Sequence, residues 1–201
     1  MILGLVGFIG SGKGTVGDIL TTRGFHKDSF AAPLKDAIAI MFGWPRDLLE
    51  GDTEVSRQWR EQPDPFWSQS FGKPFTPRLA LQLMGTEAGR NVFHLDIWVL
   101  SLLNRAKGKN VVVSDVRFKN EMNYIQKNNG IVIRIKRGPE PIWYEDYLRY
   151  NTEGGEKPKY DIHISETDWI GCHFDYTINN DGNIHQLEQK VDDMLQEIVV
   201  M

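Results

Sequence analysis

Apolar positions along the chain alternate between two periods. Ile2-Leu3-Gly4-Leu5-Val6 is a short unbroken apolar run, as in a strand buried on both faces. Behind it, Val16, Ile19 and Leu20 share one helical face. Phe25-His26-Lys27-Asp28-Ser29-Phe30 alternates weakly and predicts a short second strand. Leu34, Ile38, Met41 and Phe42 recur at i, i+4, i+7 and i+8, with Pro33 suited to the first helical turn. Asn110-Val111-Val112-Val113-Ser114-Asp115 and Ile131-Val132-Ile133-Arg134-Ile135-Lys136-Arg137 read as further buried strands. Between them a helix has its core side at Phe118, Met122 and Ile125. Asp175–Ile178 predicts the last strand, Asn179–Gly182 a turn, and Leu187, Val191, Met194, Leu195 and Ile198 a final helix.

Two stretches interrupt this alternation. From Gly43 to Pro77 periodicity fails, yet the segment holds three tryptophans and three phenylalanines, with Arg57 and Arg60 among them. Disordered linkers are poor in aromatics, so an ordered excursion that packs over something, in an enzyme often a substrate, is predicted at about 43–77. Gly138 to Cys172 is a second, lid-like excursion at about 138–172, mixing Trp143 and four tyrosines with Arg149 and Lys159, and Gly154-Gly155 is its hinge candidate. Between the two excursions, Thr76-Pro77 predicts a helix start, with the helix stopping at Gly85. Leu95, Trp98, Val99, Leu102, Leu103 and Ala106 form another apolar stripe. The Gly85–Arg90 elbow reads as a connector or as the wall of a site.

Composition narrows the class. A chain of 201 residues suits one substantial α/β domain, so a single domain over 1–201 is expected. A formal charge of −4 argues against a nucleic acid polymer as partner and gathers the useful cations locally. One cysteine, Cys172, excludes an internal disulfide framework and points to a reducing cytoplasm. The apolar start lacks the basic leader of a signal peptide, and no apolar run is long enough for a membrane span.

The candidate chemistry begins at Gly7-Phe8-Ile9-Gly10-Ser11-Gly12-Lys13-Gly14-Thr15, placed between the first strand and the first helix. Glycines let backbone N–H groups turn toward a polyphosphate, the helix N-terminus adds partial positive charge, and Lys13 reaches the outer phosphates. The pattern G-x-x-x-x-G-K-[ST] is met except that Gly14 precedes the hydroxyl of Thr15. That Gly-Lys-Gly-Thr form is similar to the loop of nucleoside monophosphate kinases. Asp115 and Arg117 follow the C-terminal end of a predicted strand, where open α/β sheets bind ligands. The bland alternative is an N-cap Asp115 with an i, i+4 pair between Arg117 and Glu121. Lys35 in a first helical turn is either solvated or facing an anion.

Taken in order, Gly12-Lys13-Gly14-Thr15, Ala32-Pro33-Leu34-Lys35-Asp36, Arg78 with Gln82, Gly85-Thr86, Trp98, Asp115-x-Arg117-x-x-x-Glu121, His163-x-Ser165-Glu166 and Asn180-Asp181-Gly182 resemble the phage deoxynucleoside monophosphate kinases, a branch of the P-loop kinases. The resemblance implies a three-layer sandwich with a five-stranded parallel sheet. It implies ATP phosphates on Gly10, Ser11, Gly12, Lys13, Gly14 and Thr15, and Asn180 near the adenine. Lys35, Arg57, Arg78, Gly85, Thr86, Trp98, Asp115, Arg117 and Glu121 would line the monophosphate side, Arg57 only after a one-residue shift. Gly14 stands where the family can carry an acid, which leaves Mg²⁺ to Thr15 and waters.

The implied reaction moves the ATP γ-phosphate to a deoxynucleoside monophosphate. Lys13 and Arg117 would stabilise charge, Arg137 or Arg149 would assist from the lid, and Asp115 would position metal waters or a ribose hydroxyl. Free nucleotides are the expected partners, with a homodimer possible and the host cytoplasm as location for a phage-encoded chain. A dephospho-coenzyme A type kinase, with Asp115 as base for an alcohol, is one alternative. A nucleotide-hydrolysing switch or assembly ATPase is another.

Overall fold

The structure, a computed structural model, describes residues 1–200. Its chain forms two compact units: Met1–Ser29 with Arg105–Met201, and Phe30–Asn104.

All five strands belong to the first unit: β1 Ile2–Val6, β2 His26–Asp28, β3 Val111–Val113, β4 Ile131–Lys136 and β5 Tyr176–Asn179. They pair in parallel in the order β2-β3-β1-β4-β5, with Leu3 set between Val112 and Ile131. Side chains alternate across a strand, so β1 offers Leu3 and Leu5 to one face and Gly4 to the other. Leu3 and Leu5 join Val16, Ile19 and Leu20 of α1 (Lys13–Thr22) with Leu187, Val191 and Met194 of α9 (Ile184–Val200). On the opposite face α7 (Lys119–Lys127) lies so close that a Cβ at Gly4 would fall 2.6 Å from Ile125 Cδ1. Helix, sheet, helix is the expected three-layer sandwich, and its all-parallel five-stranded sheet agrees with the predicted strands.

The second excursion is rooted in this unit. Trp143, Tyr144 of α8 (Tyr144–Glu153) and Trp169 pack around Phe8, with ring centroids 4.8–6.1 Å away. Arg134 of β4 lies over Tyr144 and Trp169 and pairs with Glu140 at 2.7 Å. The base of the excursion is therefore packed onto the glycine loop's own Phe8.

The second unit is helical: α2 Ala32–Phe42, a 3₁₀ turn Asp47–Leu49, α3 Glu54–Glu61, α4 Pro65–Phe71, α5 Pro77–Gln82, a π-helix Leu83–Phe93 and α6 Ile97–Arg105. The aromatic excursion is mostly this unit's own core. Phe42 stacks on Trp44 at 4.6 Å, and Trp44 and Phe75 are buried beside Leu34, Ile38 and Leu49. Three starts carry side-chain caps: Thr53 Oγ1 accepts from Ser56 N, Asp64 Oδ1 from Trp67 N, and Thr76 Oγ1, at the predicted helix start, from Leu79 N.

Gly85 does not end the helix there. The chain continues through Gly85 and Gly89 as a π-helix, and a Cβ at Gly89 would fall 2.6 Å from the Trp98 ring. Among the described residues no helix is long and apolar enough to cross a membrane.

Candidate active site

The loop between β1 and α1 is shaped by two glycines. Gly7 has φ +150°, and a Cβ there would lie 2.3 Å from the Ile135 carbonyl oxygen. Gly12 has φ +99°, and a Cβ there would meet Asn180 Nδ2 at 2.3 Å. Both the conformation and the space exclude a side chain at these points. Asn180, buried just beyond β5, donates from Nδ2 to the Ser11 carbonyl at 2.9 Å and so ties the loop to the far edge of the sheet. Ser11 is itself buried, and its Oγ has no hydrogen-bond partner among the described residues.

Lys13 folds back across the loop. Its Nζ donates to the Gly7 carbonyl at 2.6 Å and the Phe8 carbonyl at 2.8 Å. Burial first and the Arg117 cation second lower its pKa to about 8, against the opposing pull of the Glu166 carboxylate. Lys13, Arg117 and Glu166 are therefore one electrostatic group. Gly10, Gly14 and Thr15 are exposed around it.

Arg117 follows β3 by four residues. Its Nη1 donates to Glu166 Oε1 at 2.7 Å and to Ser165 Oγ at 3.3 Å, both from the second excursion. The segment carrying Glu166 is anchored on each side. Asp168 accepts from Lys119 N at 2.7 Å, and Asn151 of α8 donates to the Thr167 and Ile170 carbonyls.

Glu121 is buried in the first turn of α7. Its buried Oε2 accepts the backbone N–H of Arg117 at 2.8 Å and of Phe118 at 3.0 Å, pinning the entrance to α7. Asp115 is not the N-cap, because α7 begins at Lys119; it is half-buried just beyond β3.

Arg137 and Glu140 border a cavity of about 90 Å³ against Phe8–Ser11. A larger cavity, about 510 Å³, lies within the second excursion, lined by Asp146, Arg149, Tyr150, Lys157, Lys159 and Tyr160 among others. Arg149 is thus part of that cavity's wall.

The other expected residues lie in the second unit. Lys35 pairs with Glu50 at 2.5 Å and Arg78 with Glu61 at 3.1 Å. Arg57 is exposed and pairs with Glu54 at 3.2 Å. Gly85 and Trp98 are brought together by a 2.8 Å hydrogen bond from Trp98 Nε1 to the Gly85 carbonyl, while Thr86 is exposed on the π-helix.

No family model matches the chain. Among curated proteins, one from Acanthamoeba polyphaga mimivirus named putative deoxynucleotide monophosphate kinase is 36% identical over 152 residues, 68% of this chain and 74% of that protein. The chain belongs to the deoxynucleotide monophosphate kinase family. A deoxynucleoside-5′-monophosphate kinase of Escherichia phage T5 is 40% identical over 58 residues, which is 27% of this chain and 23% of the phage protein. Solved structures of a shikimate kinase from Aquifex aeolicus and a dephospho-CoA kinase from Campylobacter jejuni each align over 98% of this chain and 96% of their own. They show 15% and 17% identity, with TM-scores of 0.45 and 0.46. At that level the likeness bears on neither acceptor nor mechanism.

Membership in this kinase family implies ATP-dependent phosphoryl transfer among small molecules. Several residues around the loop escaped the sequence reading. Ser165 and Glu166 were recognised only as part of a family pattern, and nothing in a pattern says that they contact Arg117 from almost fifty positions away. The bracing of the loop by Asn180 was equally hidden, since both partners look like ordinary turn residues.

Proposed function

We propose that the chain transfers the γ-phosphate of ATP to a deoxynucleoside 5′-monophosphate, giving the deoxynucleoside diphosphate and ADP. The observation that carries this reading is the Lys13 ammonium folded over a glycine-walled loop, in a chain of the deoxynucleotide monophosphate kinase family.

Phosphoryl transfer asks little covalent chemistry of a protein; it asks for alignment and positive charge around the transferring group. The acceptor is an ionised phosphate at neutral pH, so no strong base is needed. Lys13 exchanges its two carbonyl partners for phosphate oxygens, and the backbone N–H groups from Gly10 to Thr15 hold the rest of the polyphosphate. Arg117 is held ready beside Lys13 by Glu166, and Glu121 fixes the backbone from which it projects. Asp115 would position metal waters or an acceptor ribose hydroxyl, and Asn180, which braces the loop through the Ser11 carbonyl, would approach the adenine.

The donor set suits Mg²⁺. Thr15 is exposed at the first turn of α1, and among the described residues no cluster of three or more His, Cys, Asp or Glu could hold a metal by itself. Mg²⁺ is commonly bound through one or two protein oxygens, with phosphates and waters completing the shell. When bound it neutralises phosphate charge, and Thr15 Oγ1 is the oxygen this chain offers.

On the acceptor side, Lys35, Arg57 and Arg78 supply charge, and Gly85, Thr86 and Trp98 supply a polar wall with one aromatic face. The same proposal makes the protein a cytoplasmic enzyme acting on free nucleotides, in the host's cytoplasm for a phage-encoded chain. The single thiol of Cys172 fits that setting. The homodimer implied by the resemblance belongs to the proposal as well.

An ADP-release assay with each of the four common deoxynucleoside monophosphates tests it. Turnover with at least one of them, exceeding ATP hydrolysis without acceptor, is expected. Acceptor-independent hydrolysis at the same rate would overturn the reading.

A further inference from the structure

His163-x-Ser165-Glu166 forms a 3₁₀ turn, Ile164–Glu166, and its side chains make a run of hydrogen bonds that ends on Arg117. His163 Nδ1 accepts the Ser165 N–H at 3.2 Å. The Ser165 hydroxyl, 2.9 Å from the same nitrogen, donates to it and keeps its lone pairs for Arg117. Arg117 Nη1 then reaches Ser165 Oγ at 3.3 Å and Glu166 Oε1 at 2.7 Å. The Nε–Nη2 edge of the guanidinium takes part in neither contact.

Both ends of this contact are fixed. Glu121 holds the backbone N–H of Arg117, Asp168 accepts from Lys119 N, and Asn151 donates to the Thr167 and Ile170 carbonyls. Stability does not account for such bracing. The Arg117 side chain is 42% exposed, and exposed ion pairs contribute little to folding. The place is also unfavourable for a carboxylate. Glu166 and Arg117 both act on the Lys13 ammonium at the glycine loop, where a negative charge repels phosphate. An arginine held along one edge, however, offers its other edge as a flat fork that matches two oxygens of one phosphate.

We propose that Ser165 and Glu166 are positioning residues for phosphoryl transfer: they grip Nη1 of Arg117 and aim its Nε–Nη2 edge at the transferring phosphate. The assignment rests on the kinase reading above and names residues that act through Arg117, with His163 orienting the Ser165 hydroxyl.

Steady-state kinetics with ATP, Mg²⁺ and each common deoxynucleoside monophosphate compare the unaltered chain with Glu166→Ala, Glu166→Gln, Ser165→Ala, Arg117→Ala and the double variant Arg117→Ala with Glu166→Ala. Glu166→Ala should lower kcat about tenfold to 10²-fold, the scale of a misplaced group. Its KM for ATP should stay or fall, because a repulsive charge is gone. Glu166→Gln and Ser165→Ala each keep one acceptor on Nη1 and should fall between. The double variant should match Arg117→Ala, because Glu166 then has nothing to position. Should Glu166→Ala fail to fold by circular dichroism, the other two variants decide. Nitrogen-15 resonances of the arginine side chains read the same contact without turnover. The Arg117 Nη1 signal, identified by its absence in Arg117→Ala, should be resolved in the unaltered chain and lost in Glu166→Ala, and the Nε signal should shift when ATP is added.

Unchanged kcat in the folded variants would overturn the assignment. So would a further loss from Glu166→Ala in the Arg117→Ala background, which marks a support of the excursion, or a gain in kcat, which marks a block. If the unaltered chain turns over no monophosphate, yet Glu166 holds Nη1 and Nε responds to ATP, the kinase reading fails and the placement of Arg117 stands. Without turnover and without that response, both fail.

Discussion

Lys13 carries its proton below about pH 8 in the free protein, held by two carbonyls and opposed by Arg117. Between about 8 and the ordinary lysine value of 10.5 the unfolded chain holds the proton more often than the folded one. Stability from this group therefore rises with pH across that window, and its burial cost is fully present below it. ATP phosphates favour the charged form. Binding at about pH 8 should then take up protons, and affinity should decline as pH rises further. Calorimetric titration in two buffers of different ionisation enthalpy reads that uptake; equal heats would remove Lys13 from phosphate contact. Lys13→Met should cost turnover about 10²–10³-fold, the scale of losing one preorganised charge contact to a transition state. At this scale the loop pattern singles out Lys13 because it is local, and the structure folds its Nζ over that loop. The sequence could not tell that Glu166 sits on Arg117, since that contact depends on packing between distant segments.

Among the elements, the loop's shape is maintained from outside. Asn180→Ala would remove a buried hydrogen bond and leave the Ser11 carbonyl without its partner, which costs about 1–3 kcal/mol. Denaturant unfolding should register that loss, and ATP affinity should fall with it. Full stability together with full affinity would mean that the loop holds itself. The strands were legible because buried parallel strands read as continuous β-branched runs, and the helices of the first unit because their apolar faces repeat. In the second unit the reading stopped too early. Gly85 reads as a helix end, whereas the chain widens into a π-helix from Leu83 and runs on past Gly89, where the Trp98 ring leaves no room for a side chain. Helices α3 and α4 are too short to show a period. Their Thr53 and Asp64-Pro65 caps were the available signals.

For the molecule as a whole, the first unit is assembled from both ends of the chain, while the second is one continuous stretch. We propose that both belong to one kinase domain. Thermal unfolding should then be a single transition by far-ultraviolet circular dichroism and by tryptophan fluorescence, which reports from Trp143 and Trp169 in one unit and Trp44 and Trp59 in the other. Two separate transitions would contradict it. The net charge of −4 is no obstacle to the proposed nucleotide binding, because the cations proposed for it are local: Lys13 and Arg117 in the first unit, Lys35, Arg57 and Arg78 in the second. The central claim concerns where the phosphoryl group goes. ATP labelled at its γ-phosphate, incubated with the protein, Mg²⁺ and an accepted deoxynucleoside monophosphate, should deliver the label to the β-position of the deoxynucleoside diphosphate, and Lys13→Met should slow that transfer about 10²–10³-fold. Label appearing only as inorganic phosphate, or unchanged transfer by Lys13→Met, would contradict the account.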